Sequence, residues 1–208
     1  MPKKPDLTDR LIDAALRLAV ERGWREVTLA EIARAASASL AETYRVLPSR
    51  SAVLDAFTRR IDAEVLSADA VEEDSERPRD RIFDVLMRRF DALQRHRQAV
   101  ASILGDSMRD PFAMAASTPQ FLRSMRWMGE AAGLQMDGIG GAVRTKAIAL
   151  AWASALRTWL EDETPDLSPT MASLDQRLRW AERLGVFGRK GRQPEADGVD
   201  TAEESSPG

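Results

Sequence analysis

Residues 27–54 read VTLAEIARAASASLAETYRVLPSRSAVL, and this stretch determines the fold that we predict for the N-terminal part of the chain. Thr28–Glu31 and Ser39–Glu42 each have the pattern of a capping box, in which a hydroxyl and a carboxylate satisfy backbone N–H groups at a helix start. Ser49 is a third cap, because it follows Pro48, which cannot continue a helix. Closely spaced helix starts predict short helices with sharp corners, which are typical of a helix-turn-helix.

The composition limits the classes of protein to which this chain can belong. Its 208 residues are 44% hydrophobic and 30% charged, as expected of a globular protein with a sizeable core. The absence of cysteine excludes disulfides, thiolate metal sites and Cys nucleophiles. No apolar run is long enough for stable membrane insertion, and the polar N-terminus lacks a signal-peptide core, so we expect a cytoplasmic protein.

The charge distribution also carries information about partners. The net charge is −3, whereas residues 1–66 hold 11 Lys and Arg against 10 Asp and Glu. This balance excludes a protein that is basic throughout, but it allows a small DNA-reading head on an acidic body.

The spacing of apolar residues predicts an all-α fold with eight or nine helices. In the N-terminal part we predict helices over Thr8–Arg22, Leu29–Ala36, Leu40–Val46 and Arg50–Leu66, with Tyr44 and Leu47 anchoring the third. In the body we predict Asp80–His96, Gln98–Met108, Thr118–Gly133, Ala142–Glu161 and a last helix capped at Ser168. Gly138–Gly141 is expected to be a flexible turn.

We therefore predict a head, a connection, a body and a tail. Residues 1–50 form a three-helix helix-turn-helix head, and residues 51–77 are a connecting helix with an acidic linker. Residues 78–186 form a helical bundle for ligand binding and dimerisation, and the polar residues 187–208 have the composition of disorder.

The first ~60 residues resemble the TetR family of bacterial transcription regulators. The similar elements are a first helix ending in ERGWREVTLAEIARAA, a short recognition helix carrying Tyr44, and Pro48-Ser49-Arg50 opening the helix that leads into the body. The matching residues are Thr28, Ile32, Ala33, Ala36, Ser39, Tyr44, Pro48, Ser49 and Leu54. This resemblance implies a homodimer with its two heads in successive major grooves of a double-stranded DNA operator. It also implies a ligand pocket in the body that changes the spacing of the heads.

The resemblance also implies which residues contact DNA. Arg45 and Thr43 would read bases, and Tyr44, Arg50 and Ser39 would contact the backbone. The full DNA-binding set that we predict is Thr28, Ser39, Leu40, Thr43, Tyr44, Arg45 and Arg50, with Lys3, Lys4, Arg10 and Arg34 as further cations for phosphates.

The stretch departs from the family pattern at four positions, which are Ser37, Ala41, Glu42 and Leu47. Glu42 matters most, because a carboxylate on a helix in the groove repels phosphates. It can instead accept from a cytosine amino group or remain folded back in its own capping box.

The C-terminal half carries a second resemblance, to the lipid-binding accessory protein of ubiquinone biosynthesis. The similar segments are Trp159–Asp166, Thr170 and Leu174–Arg177, together with Asp84–Leu104. This resemblance implies the same fold, used to hold an isoprenoid lipid, with a head that no longer reads DNA. It provides the alternative function for the chain.

The body supplies candidates for a ligand pocket and for a dimer interface. Methionine and aromatic residues form an adaptable apolar set that either lines a pocket for an apolar small molecule or lipid or is simply core, namely Met87, Phe90, Met108, Met125, Met128 and Trp152. Small and apolar residues of the last two helices pack either within one chain or between two copies, and we favour the dimer interface; they are Ala147, Ala151, Ala155, Leu174 and Leu178.

We find no pattern of residues that indicates catalysis, a metal site or a cofactor. His96 is the only histidine, stands between Arg95 and Arg97, and is expected to be an exposed residue at a helix end. The glycines of Gly138–Gly141 follow no strand, so they do not form a phosphate-binding loop. The sequence therefore predicts a non-enzymatic protein.

Overall fold

The computed structural model describes residues 6–67, 77–107 and 111–187, without the side chains of 111–117, and every regular element there is helical. The α-helices are α1 (Leu7–Arg22), α2 (Leu29–Ala35), α3 (Leu40–Val46), α4 (Arg50–Leu66), α5 (Pro78–Gln94), α6 (Arg97–Ser107), α7 (Pro111–Ala131), α8 (Gly138–Glu161) and α9 (Ser168–Arg183). A short 3-10 turn, Trp24–Glu26, follows α1, and we call it the junction turn. The all-α prediction is confirmed.

Part of the predicted organisation cannot be compared with the structure. Most of the acidic linker (68–76), Met108, and nearly all of the tail (188–208) lie outside the described residues, as do Lys3 and Lys4. None of the helices in the described ranges is both long and apolar enough to cross a membrane.

The head is built by the local signals that the sequence contains. Both capping boxes form, one between Thr28 and Glu31 and the other between Ser39 and Glu42. The apolar stripe of α1 is buried, and α1 packs against α2 and α4. The cap at Ser49 forms as well, since its hydroxyl accepts from the N–H of Ala52 at 3.0 Å. The predicted ends of α3 and α4 match the structure.

The junction turn joins the head to the body. Gly23, with φ of 87°, ends α1 and lets the chain turn so that Trp24 is buried. The Trp24 N–H donates to Oγ of Ser102 at 3.2 Å, and the Arg25 N–H donates to Oδ2 of Asp106 at 2.8 Å. Because Ser102 and Asp106 belong to α6, the end of α1 is fixed to a body helix.

The body core lies between α5, α7, α8 and α9, and α4 packs onto it from the head side. Its centre is aromatic, because the rings of Phe90 and Trp152 stack with their centroids 5.6 Å apart. Trp159 is fully buried, and its indole N–H donates to the Gln94 side chain at 2.9 Å. The last part of α8 is therefore tied to the end of α5.

The helix start predicted at Thr118 is wrong. Helix α7 begins at Pro111 and continues through Pro119. Pro119 removes only one backbone hydrogen bond from a helix of 21 residues. Buried side chains further along the helix, Met125 and Met128, hold it against the core.

The predicted turn at Gly138–Gly141 is also wrong, because these glycines form the first turn of α8. Only glycine fits at position 141, because the backbone of Met136 leaves no room for a side chain. A Cβ atom at this position would lie 1.9 Å from the carbonyl oxygen of Met136.

The cap predicted at Ser168 is displaced by one residue. Leu167 is the residue before α9, in a left-handed conformation with φ of 54°. Ser168 lies inside the helix, and its N–H donates to Oδ1 of Asp166 at 3.3 Å.

Candidate nucleic-acid interface

One face of α3 is exposed and carries three of the predicted DNA-binding side chains. Leu40 is 55% exposed and Tyr44 is 69% exposed. Arg45 is exposed beside them, whereas Leu47 is buried beneath the helix. The prediction that Leu47 anchors α3 is confirmed, and the same prediction for Tyr44 is wrong, because its side chain points away from the core.

The predicted base contact by Thr43 is wrong. Its side chain is fully buried, and its hydroxyl donates to the carbonyl oxygen of Ser39 at 3.0 Å. In a helix of seven residues, Thr43 and Leu47 share the inward face because they are four positions apart. Thr43 therefore positions α3 from below.

Glu42 is folded back onto the start of its own helix. Its Oε2 accepts from the Ser39 N–H at 2.8 Å and from the Ser39 hydroxyl at 2.6 Å. These hydrogen bonds, with smaller contributions from the charges of Arg45 and Arg10, lower the pKa of Glu42. The carboxylate is ionised and occupied within the capping box, so its geometry matches the folded-back alternative.

The predicted phosphate contact by Arg50 is wrong, because its guanidinium is used inside the protein. It donates to the carbonyl oxygen of Arg25 at 3.3 Å and to that of Trp24. It also lies over the Trp24 ring, 4.7 Å from the centroid. Arg50 therefore holds the junction turn to the start of α4.

The remaining candidates lie on α1, on α2 and at the helix starts of the head. Arg34 on α2 is exposed, whereas Arg10 on α1 is half-buried. Thr28 and Ser39 are exposed as residues, and their hydroxyls are engaged in the two capping boxes. The head thus offers Arg34 on α2 and Tyr44 and Arg45 on α3 as exposed polar side chains.

The predicted pocket residues are packed together in the core. Phe90, Met125, Met128 and Trp152 are buried, and Met87 is half-buried against the same core.

An open cavity of about 580 Å³ lies elsewhere, between α1 and the corner that joins α5 to α6. His96 lines this cavity and is half-buried against Phe57, 5.2 Å between ring centroids, so its predicted exposure is wrong. Burial, and then the charges of Arg60 and Arg95, lower the pKa of His96.

The predicted dimer interface is wrong, because its residues pack within one chain. Ala151, Ala155, Leu174 and Leu178 are buried between α8, α9 and the rest of the body, and Ala147 is half-buried. The opposite faces of the two helices expose large apolar side chains, which we call the outer apolar face: Ile139, Val143, Leu150, Trp180 and Leu184. Helical spacing of Ile139, Val143 and Leu150 was the sequence signal for this face.

The residues behind the second resemblance form a corner between α8 and α9. Asp162 is 3% exposed and accepts hydrogen bonds from Thr164 and Thr170. Burial alone would raise the pKa of Asp162, but these hydrogen bonds lower it to about 2. The Asp–Thr pattern therefore has a structural role in closing the corner.

The comparisons with known proteins agree with this architecture. Residues 11–57 match the model of a family described as bacterial regulatory proteins, tetR family. No curated protein matches the sequence. The resemblance to the ubiquinone accessory protein is not confirmed by these comparisons.

Solved structures of TetR regulators share the fold. The TetR transcriptional regulator from Nitrosomonas europaea is similar with a TM-score of 0.67 and 22% identity, over 86% of this chain and 99% of that chain. A TetR transcriptional regulator from Rhodococcus sp. RHA1 has a TM-score of 0.61 and 19% identity, over 82% and 92%. Thermus thermophilus FadR, a TetR family repressor in complex with lauroyl-CoA, has a TM-score of 0.51 and 22% identity, over 90% and 98%. Residues 11–57 therefore match the N-terminal part of the tetR family, and the described chain has the fold of these regulators.

Proposed function

We propose that the chain is a ligand-responsive, homodimeric regulator that binds double-stranded DNA through α3. The observation that carries the proposal is the exposed face of α3, where Tyr44 and Arg45 are exposed while Glu42 is withdrawn into its capping box. Glu42 is itself exposed, but its carboxylate is held at the start of α3 by Ser39, so Leu40, Tyr44 and Arg45 give the rest of the face an apolar and cationic character that suits a major groove. The expected location in the cytoplasm belongs to this proposal, since the partner is DNA.

Each exposed residue has a distinct part in the proposal. Arg45 reads a guanine edge, because a guanidinium donates two hydrogen bonds to O6 and N7. Leu40 packs on thymine methyl groups. Tyr44 contacts a phosphate through its hydroxyl, and Arg34 supplies charge from α2. Ser39 and Thr28 cap α3 and α2, and so hold the helices that present these side chains.

The homodimer forms through the outer apolar face in this proposal. Leu150 is 69% exposed and Trp180 is 61% exposed, and both lie on neighbouring helices. Two copies of such a face related by a two-fold axis bury each other and form a four-helix interface. This interface would set the separation of the two heads.

An apolar ligand binds between the body helices in this proposal. Met87, Met125 and Met128 line the region with flexible side chains that can rearrange. Thermus thermophilus FadR, which shares the fold, is a repressor in complex with lauroyl-CoA. That example supports an acyl-type ligand as the first class to test.

DNA binding is tested with duplexes selected from a random library by the purified protein. We expect wild-type affinity to fall steeply with salt, because phosphate contacts release counterions. Arg45→Ala combined with Tyr44→Phe should remove most of the sequence-specific affinity. Arg123→Ala is the matched control, because Arg123 is exposed on the body helix α7 and carries the same charge.

Two results would overturn this function. One is the absence of any selected sequence at low salt, which is the behaviour expected of the lipid-binding alternative. The other is an equal loss of affinity in the Arg123 control, which would show that general charge, and not α3, determines binding.

A further inference from the structure

The body core holds a buried charge that a simple apolar core does not need. Arg89 on α5 is 4% exposed, and it is the only buried Lys or Arg among the described residues. Its guanidinium pairs with Asp62 of α4, which is 7% exposed. It also lies over the ring of Trp152, 5.4 Å from the centroid. A buried ion pair contributes little to stability compared with apolar packing, so its presence calls for another explanation.

The hydrogen bonds around Arg89 are incomplete. The recorded bonds of Asp62 all use Oδ1, which accepts from Arg89 and from the Ser124 hydroxyl at 2.8 Å. The Nε of Arg89 and the indole Nε1 of Trp152 are buried, and neither has an acceptor in the part of the chain that the structure describes. The Nε of Arg10, Arg79 and Arg97 is also buried without a hydrogen bond to a described residue, so it is the Trp152 indole N–H, beside the buried Arg89, that indicates a missing acceptor.

The surroundings of these donors are apolar. Trp152 stacks on Phe90 and lies 5.6 Å from Phe121, centroid to centroid. The sulfur of Met128 lies 3.9 Å from Nη1 of Arg89. A molecule that satisfies the donors must therefore combine an acceptor group with an apolar remainder, and methionine side chains can rearrange to admit it.

We propose that the effector is an apolar molecule with a carboxylate head group, which pairs with Arg89 and takes it from Asp62. This inference rests on the regulator proposed above and specifies its ligand. A carboxylate has two oxygens and can accept from Nε and a terminal nitrogen of Arg89 together, whereas Asp62 uses one oxygen. The Trp152 indole N–H is a further donor to the same group.

Loss of the Asp62 contact would act on the head through α4. This helix begins at Arg50, which holds the junction turn, and Asp62 lies three turns further along it. When Arg89 pairs with the ligand, only Ser124 of the recorded partners still binds Asp62. The end of α4 is then free to move relative to α5, and the head moves with it.

The first test compares laurate with dodecanol, which has the same chain and no charge, by calorimetry below micelle concentrations. Wild type should bind laurate at least about tenfold more tightly, because hydrogen bonds to charged groups are the stronger ones. Asp62→Asn removes the competing charge and should raise laurate affinity further, with dodecanol binding unchanged. Asp62→Asn combined with Arg89→Gln should remove the preference for laurate.

Glu64→Gln is the matched control. Glu64 lies on the same helix and pairs with Arg95 at the surface, so its loss should leave laurate binding unchanged. Circular dichroism establishes that each variant is folded, and the wild-type comparison needs no variant at all.

The inference is overturned if wild type and Asp62→Asn bind laurate no better than dodecanol, or if the preference survives in the double variant. The release of α4 is overturned if laurate binds as expected and leaves the affinity for selected DNA unchanged. Failure of the regulator function itself is a separate result, because it appears as absence of DNA binding by the ligand-free protein.

Discussion

Replacing Asp162 by Ala tests how the corner between α8 and α9 is held. Oδ1 of Asp162 accepts from the Thr164 N–H at 3.0 Å and from its hydroxyl at 2.6 Å. Oδ2 accepts from the Thr170 N–H at 3.0 Å and from its hydroxyl at 2.6 Å. Thr170 is fully buried, so its two donors would have no water to replace the carboxylate.

The expected loss of stability follows from these contacts. A buried donor left unpaired costs roughly 1–3 kcal/mol. The two donors of Thr170, at the lower part of that range, together with the half-exposed bonds of Thr164, give about 3 kcal/mol for Asp162→Ala. This is a substantial fraction of the ~5–15 kcal/mol by which domains are usually stable.

Urea denaturation followed by circular dichroism measures this effect. Asp166→Ala is the matched control, because Asp166 lies in the same corner and accepts its hydrogen bonds from Ser168 in an exposed position. Its unfolding midpoint should stay close to that of wild type. If Asp162→Ala lost less than about 1 kcal/mol, or no more than the Asp166 variant, the corner would not depend on these buried hydrogen bonds.

Three further predictions concern pH, assembly and a close contact. The pKa of Asp162 is lowered to about 2 in the folded state, so its contribution to the free energy of unfolding should be complete above about pH 5 and be lost as the pH falls from about 4 to 2. Urea midpoints measured at pH 6 and pH 3 should therefore differ less in Asp162→Asn than in wild type. Leu150→Glu with Trp180→Glu should convert the proposed dimer to monomers in analytical ultracentrifugation, whereas Trp127→Glu, at an exposed position of α7, should not. A dimer that persists in the first variant would rule out the outer apolar face. Gly141→Ala should lower stability by roughly 2–4 kcal/mol, because its Cβ would meet the Met136 carbonyl. Gly140→Ala, whose nearest neighbour is a flexible side chain at 3.6 Å, should be neutral or stabilising. Equal melting temperatures of the two variants would contradict this prediction.

The head was predictable because its signals are local. A capping box is complete within four residues, so the starts of α2 and α3 followed directly from Thr28 and Ser39. It is harder to predict which side of α3 faces the core, since a helix of two turns has few apolar positions. For this reason the sequence predicts a base contact for the buried Thr43 and an anchoring role for the exposed Tyr44, and both predictions are wrong.

The wrong predictions outside the capping boxes have two causes. Some residues make contacts with partners far away in the sequence, and one helix is apolar on more than one face. Helix α8 is apolar around much of its circumference, so the spacing of its residues does not decide which face is buried, and the dimer interface predicted on the alanine face is wrong. The glycines before it looked like a turn because the approach of Gly141 to Met136 is not visible in the sequence. Arg50 matched a family position, but its guanidinium is engaged by carbonyls 25 and 26 residues earlier in the chain.

The junction turn sets a threshold for any response to a ligand. Two of its residues, Trp24 and Arg25, accept hydrogen bonds from Arg50 of α4 and donate hydrogen bonds to Ser102 and Asp106 of α6. If a change in head position breaks three such bonds at about 1 kcal/mol each, an effector must prefer the altered state by more than about a hundredfold to shift the population. Substitution of Ser102 would lower that threshold and make the head more sensitive to ligand, without touching either the DNA-binding face or the ligand's own contacts.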